Sequence, residues 1–417
     1  QIVGGSGPDV LTLQGQGTIL AGDGNDQLFG DSHDNRLFGE AGDDEIWAGA
    51  GNDLVVGGWG NDILVLGEGI DVGYGDEPEA ENQASENQSS ENQSSENQSS
   101  ENQGDSATQE AAGNDEAAGN DVEAAGNDIV IGGELDSVLE RAEVIAQLTD
   151  LAFQWTVNGQ LSSALLQTFL SQTASDDEQN EMLGGDGSDI LLGSPGIDLI
   201  NVGSGSVGSG SVDAAFGGAG NDRIEGASST QLFVGGDGDD ELIGSTSIDA
   251  GLIVMIGDRL SADALLKLDA TDQTITALSS LQTTGSGKDI ILGSGLGSIN
   301  LLVGGGGDDD IQAGDGLTLA LLDDWILDVD QTLDIGQLAA TPDTKLLANP
   351  WIFAATLTEF AESFAPTATN VFRGSSNRDL VVGGTGIDII SGGSGSDVLV
   401  GNSGDDSLHG DEGFDIV

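Results

Sequence analysis

Residues Ala21–Tyr74 read AGDGNDQLF, GDSHDNRLF, GEAGDDEIW, AGAGNDLVV, GGWGNDILV and LGEGIDVGY, six copies of one nine-residue unit with no break between them. The unit is Gly-Gly-x-Gly-x-Asp-x-U-x, with U a large apolar residue. Its glycines permit positive φ and let carbonyls converge without Cβ clashes, so the first six residues predict a turn. The last three predict a short strand whose alternation sends U inward and its neighbours outward. Two units make one coil. Asp26, Asp44 and Asp62 then fall on one edge, with Asp53 and Asp71 on the other.

Coils about 4.8 Å apart stack these carboxylates on one another, which is repulsive unless a cation lies between them. A hard divalent ion taking roughly six to eight oxygens suits carboxylates and backbone carbonyls, which points to calcium rather than zinc or magnesium. Outside this run the unit appears as GGSGPDVLT with Asp9, as GGDGSDILL with Asp189, followed by Asp198, as GGAGNDRIE with Asp222 and as GGDGDDELI with Asp240. Weaker copies surround Asp128, Asp289 and Asp309, and a second clean run from Gly374 carries Asp379, Asp388, Asp397, Asp406 and Asp415. With the five of the first run, these aspartates are the candidate metal ligands. Asn35 replaces Asp at the sixth place of its unit, which predicts a weaker site or one served by the neighbouring Asp34.

The repeat resembles the RTX, or haemolysin-type, calcium-binding nonapeptide. The resemblance implies a mainly β fold, a parallel β-roll (β-solenoid) with Ca²⁺ in the turns. It also implies a secreted bacterial surface or matrix protein that leaves the cell unfolded through a type I secretion channel and folds on meeting calcium. The terminal Phe414-Asp415-Ile416-Val417 is similar to the acidic and apolar tail of some type I substrates, and equally fits a truncated repeat.

Of 417 residues, 68 are Gly, and 73 Asp plus Glu stand against 9 Lys plus Arg, a formal charge of −64. Binding to nucleic acid or to an anionic membrane through a basic patch is excluded on that balance. Such a chain repels itself without counter-ions; about 15 Ca²⁺ would bring about 30 positive charges, so folding should be coupled to calcium. With no Cys, neither disulfides nor thiolate sites are available, and ions would do the stapling. No apolar run is long enough to span a bilayer. The chain starts and stops inside a repeat, and we expect it to be a window of a longer protein.

Composition divides the rest. We expect roll blocks over residues 1–76, 183–258, 285–316 and 373–417, and degenerate repeats over 113–133, of which only Asp128 with Ile129 to Ile131 is expected to join a roll. Residues 77–112, built on ENQSS, have no apolar residue beyond alanine and predict a disordered spacer. Asn87, Asn92 and Asn97 each head a sequon there, which we assign to the repeat itself. Helical spacing of Leu135, Val138, Leu139, Ala142 and Ile145, then of Leu161, Leu165, Leu166 and Phe169, predicts a helical insertion over 134–182. Alternation through LLKLD and TITAL predicts a β-hairpin insertion over 259–284. The aromatic-rich 317–372, with Trp325, Trp351, Phe353, Phe360 and Phe364, predicts further helices, Pro342 and Pro350 suiting helix starts. Such insertions are expected to pack on the roll and cover its edges.

Catalysis finds no support. His33 and His409, the two histidines, lie inside repeats without the pairing HExxH needs, and there is no GxSxG, Walker loop or Cys. The expected role is a non-enzymatic calcium-binding structural or adhesive segment. The alternatives are the repeat domain of an exported hydrolase or pore-forming toxin, and a self-assembling filament or surface-layer subunit. Expected partners are calcium and, in the last case, copies of itself.

Overall fold

The computed structural model describes residues 1–59, 62–69, 71–75, 118–126, 129–131, 160–162, 179–184, 188–193, 195–203, 212–226, 230–245, 251–261, 265–269, 274–277, 281–295, 298–322, 326–327, 332–334, 368–384 and 386–417. The nine-residue units lie in two parallel sheets, and successive units alternate between them. The first sheet follows the path Ile2–Ser6, Thr18–Asp23, Arg36–Ala41, Leu54–Trp59, Val72–Tyr74, Ile129–Ile131 and onward to Val398–Val400; the second runs from Val10–Thr12 to Ser407–His409. The roll does not stop at the insertions. Val72–Tyr74 pairs directly with Ile129–Ile131, so the chain leaves the coil and re-enters one coil on. The four expected blocks share these same two sheets.

Register explains the core. Leu28, Ile46 and Leu64 stand opposite one another in the second sheet, Leu37 and Val55 in the first. All five are fully buried and belong to one cluster between the sheets. The cluster continues through Leu191, Phe233, Ile311 and Phe372 to Ile390. At roughly 25 cal/mol per Å² of apolar surface, a filled ladder of this kind is the main apolar stabilisation available to so glycine-rich a chain.

The expectation that the neighbours of U face solvent holds for the second sheet only. Its flanking positions carry ion pairs, Arg223 with Glu225 and Glu241, and Arg373 with Asp310. On the first sheet the flanking residues Val56, Tyr74, Ile131, Leu192, Phe216, Val234 and Val382 are themselves buried, in a second cluster. Alternation cannot report this, because a strand covered on both faces reads as a continuous apolar run.

Leu268 and Ile275 supply part of that cover. They lie on the expected hairpin, where Leu265–Asp269 pairs antiparallel with Thr274–Ala277. The hairpin is half of a four-stranded sheet completed by Gln160–Ser162 on one side and Thr332–Asp334 on the other. Three insertions far apart in sequence thus meet in one sheet.

Several expectations are corrected. Among the described residues there is no helix. Leu161, expected in a helix, is in a strand opposite Leu266, where sheet pairing overrides local helical spacing. Gln179–Leu183 and Leu317–Leu321, assigned to insertions, are roll strands, with Met182 and Leu319 in buried positions. Ala118–Gly126, expected outside the roll, pairs with Ile63–Gly69 and Gln179–Leu183; its register sets Val122 opposite Leu64 and Met182. The remainder of the expected helices, the five aromatics of 317–372 and the ENQSS segment lie outside the described residues.

The coil geometry puts the second place of many units in left-handed backbone. Gly58 has φ 120° there, and Glu40, its partner one coil before, is held at φ 78°. A side chain in that region costs about 1–2 kcal/mol. Glu40→Gly is therefore expected to raise stability by about 1 kcal/mol, offset in part by the glycine's freedom when unfolded; calcium-saturated thermal denaturation of the two proteins measures it.

Candidate metal centre

Each sixth-place aspartate sits where the turn ends and the strand begins, and the register stacks it on its counterpart one coil on. A hydrogen-bond ladder records this. The backbone N–H of Asp9 donates to Asp26 Oδ1 at 2.6 Å, that of Asp26 to Asp44 at 2.7 Å and that of Asp44 to Asp62 at 2.8 Å. Further along the same edge the ladder runs Asp198 to Asp222, Asp222 to Asp240, Asp240 to Asp289 and Asp289 to Asp309, at 2.8–3.0 Å. Asp388 to Asp406 continues it at 3.1 Å. On the other edge Asp53 donates to Asp71 at 2.7 Å, Asp379 to Asp397 at 2.9 Å and Asp397 to Asp415 at 3.2 Å.

The structure thus brings together all the candidate aspartates of the described residues; Asp128 lies outside them. Asp9, Asp406 and Asp415 are half-buried and the others buried. Asp213 was missed. It is fully buried and receives the Asp189 N–H at 3.3 Å, but SVDAAF lacks the preceding Gly-x that would mark it in sequence. Asp258, also fully buried, was missed too; its carboxylate accepts the Gly306 N–H from the glycine-rich turn before Asp309. Asp34 does not stand in at the Asn35 position, since it is exposed and accepts the Asn52 N–H at 3.0 Å while Asn35 is buried.

At most coils one carboxylate oxygen accepts the ladder bond, while Asp379 and Asp388 each take an N–H of their own turn on Oδ2, from Ser375 and Gly384. Oδ2 of Asp26, Asp44, Asp53, Asp222, Asp240, Asp289 and Asp397, and Oδ1 of Asp379, are buried without a hydrogen-bond partner. An orphaned buried carboxylate oxygen is costly. The first glycine of the unit shows what surrounds it. A Cβ on Gly39 would collide with Asp44 Oδ2 and the Gly57 carbonyl, and one on Gly217 with Asp222 Oδ2 and the Gly235 carbonyl. At the same place in successive coils, a carboxylate oxygen and a carbonyl oxygen approach one point that only glycine leaves open. These are hard oxygen donors, repeated in line, and they fit calcium. No three acidic side chains converge on a single point among the described residues, as follows from a ladder that offers one carboxylate per coil with carbonyls making up the rest.

Burial is the leading reason these acids hold their protons, and the neighbouring carboxylates add to it. Asp44 and Asp53 are raised to about 6, Asp240, Asp379 and Asp397 to about 7, and Asp222 and Asp289 to about 9.

Comparison with protein families matches the RTX calcium-binding nonapeptide repeat (4 copies) at residues 13–46, 38–72, 183–206, 207–242 and 372–417. The matched segments cover most of the first clean run, the units of residues 183–242 and the second clean run. These segments are RTX calcium-binding nonapeptide repeats, and they lie in a parallel roll. Repeats of this family bind calcium and typify secreted bacterial proteins. No curated protein matches the chain.

The raised carboxyls set the pH dependence of the metal-free roll. An acid whose folded pKa exceeds its unfolded one binds more protons when folded, so stability falls as pH rises from about 4 through the folded values. In chelator, acidification from pH 8 to pH 5 is expected to increase the β signal in far-UV circular dichroism. In calcium the dependence is expected to invert, because the ion competes with protons for the same oxygens. The calcium concentration needed for half-folding should rise as pH falls, and calcium loading at pH 7 should release protons measurable in weak buffer.

Proposed function

We propose that this chain is a non-enzymatic structural segment of a secreted bacterial surface or matrix protein, a rod that stiffens on loading calcium outside the cell and there spaces, tethers or adheres. The observation that carries this reading is the row of buried, partnerless aspartate oxygens along both edges of the roll. Their charge cannot be sustained without cations, and calcium is scarce in cytosol but about millimolar outside, where such modules bind with Kd of roughly 10⁻⁴–10⁻³ M. An unloaded chain of net charge −64 is self-repelling, which suits export in an unfolded state through a type I channel. The sixth-place aspartates are the residues assigned to the ions, with the first-glycine carbonyls completing each cage.

Two results test it. Far-UV circular dichroism is expected to show a disordered chain in chelator at pH 7.5 and a β spectrum on adding millimolar calcium; an unchanged spectrum would count against coupled folding. Replacing Asp44, Asp53 and Asp62 with Ala is expected to lower the number of bound calcium ions, measured by equilibrium dialysis. Undiminished uptake by the triple variant would remove the aspartates from the assignment.

A further inference from the structure

The sixth place of the unit is not always acidic. Asn180, Gln231, Asn300 and Asn370 occupy it at 0–1 % exposure, as buried as the aspartates they replace. Register places them in the ladder: Asn370 stands opposite Asp388, and Gln231 opposite Asp213. Asn180 and Asn370 are the sixth-place residues of the strands Gln179–Leu183 and Thr369–Arg373, through which the chain rejoins the second sheet after its two longest helical-patterned insertions.

Their contacts differ from those of an aspartate in one respect. A carboxylate only accepts hydrogen bonds, whereas a carboxamide also donates. Asn180 Nδ2 donates to Asp198 Oδ1 at 2.9 Å, and its backbone N–H reaches the same oxygen at 3.1 Å. Asn370 Nδ2 donates to Asp388 Oδ1 at 3.2 Å while its own Oδ1 accepts the Asp309 N–H at 3.1 Å. Asn370 therefore links the coil before to the coil after through one neutral side chain. On the other edge Asn300 stays within its own turn, its Oδ1 accepting the Ser294 N–H at 3.1 Å and its Nδ2 donating to the Ser294 carbonyl at 3.5 Å. The Gln231 carboxamide fills the space beside Gly226 in which a Cβ would sit. Asn35 also reaches the next coil, its backbone N–H donating to Asp53 Oδ1 at 2.6 Å and its side chain hydrogen-bonding the same carboxylate, but it turns Nδ2 to the His33 carbonyl and Asp31 within its own turn as well.

We infer that Asn180 and Asn370 are calcium-free joints: at these two coils a donated amide N–H takes the place of a cation between stacked sixth-place side chains. This rests on the calcium-loaded reading of the aspartate ladder. The joints break the run of like charge on this edge, so the coils where insertions re-enter are tied by an amide hydrogen bond that does not depend on ion concentration. The acidic runs between them depend on it fully.

Bound calcium counted by equilibrium dialysis at saturating ion tests the assignment on the full chain. Asn370→Asp adds a carboxylate and removes the donor; it is expected to bind at least one more calcium than the parent, and an unchanged count overturns the proposal. Asp240→Asn does the reverse within an acidic run and is expected to bind at least one fewer; an unchanged count there also overturns it. In chelator, hydrogen exchange at pH 6 is expected to leave Val371 and Met182 at least about tenfold more protected than Leu28 and Ile46, the difference that one bond to a charged partner makes. Equal protection would overturn the joints without touching the loaded roll. A parent chain that takes up no calcium would instead overturn the reading of the ladder as a whole, and the joints with it.

Discussion

Stacked aspartates, most of them receiving a backbone N–H on one oxygen and offering the other to a buried corner, set the terms for everything else in this molecule. A coil-to-coil spacing fixed by strand pairing leaves no freedom to move the carboxylates apart. Either they are protonated or something positive lies beside them. Burial raises Asp222 and Asp289 to about 9, so in a metal-free roll protons would fill that role even at neutral pH, and calcium must displace them. The fold is therefore a device whose stability is linked to two ligands competing for the same oxygens.

The glycines make this possible by subtraction. A Cβ at the first place would occupy the point where carboxylate and carbonyl oxygens converge, as at Gly39 and Gly217. The entropic cost of so many glycines is considerable, and the apolar ladder from Leu28 through Phe233 to Ile390 offsets it only in part. Neither the core nor the edges suffice alone. On the calcium-loaded reading, the cation takes the part that disulfides play in exported domains of limited core.

The two faces of the roll have different fates. The second sheet shows solvent a row of ion pairs and isolated isoleucines such as Ile63 and Ile389. The first is apolar outward as well as inward and is covered, with Leu268 and Ile275 among the covering residues. The sheet carrying them is assembled from three insertions, so it fastens together coils far apart along the axis. A repeat protein whose coils touch only their neighbours unravels from any point; a lateral sheet of this kind opposes that.

Much of this was legible in the sequence because it is written at fixed spacing. The unit from Ala21 to Tyr74 dictated turn, strand, alternating edges and the identity of nearly every ladder aspartate, since Gly-x-Asp reports a backbone constraint and a ligand at once. What spacing does not encode had to come from the tertiary structure. Asp213 joins the ladder without a glycine motif, because strand register alone carries it there. Ala118–Gly126 enters the roll by backbone pairing with Ile63–Gly69 and Gln179–Leu183, strands far from each other in the chain. Leu161, locally helical in pattern, is extended because strands from distant insertions pair beside it. That one face is covered, and that Asn180 and Asn370 donate to the next coil's carboxylates, depends on contacts between residues far apart in the chain, and such contacts leave no periodic trace in it.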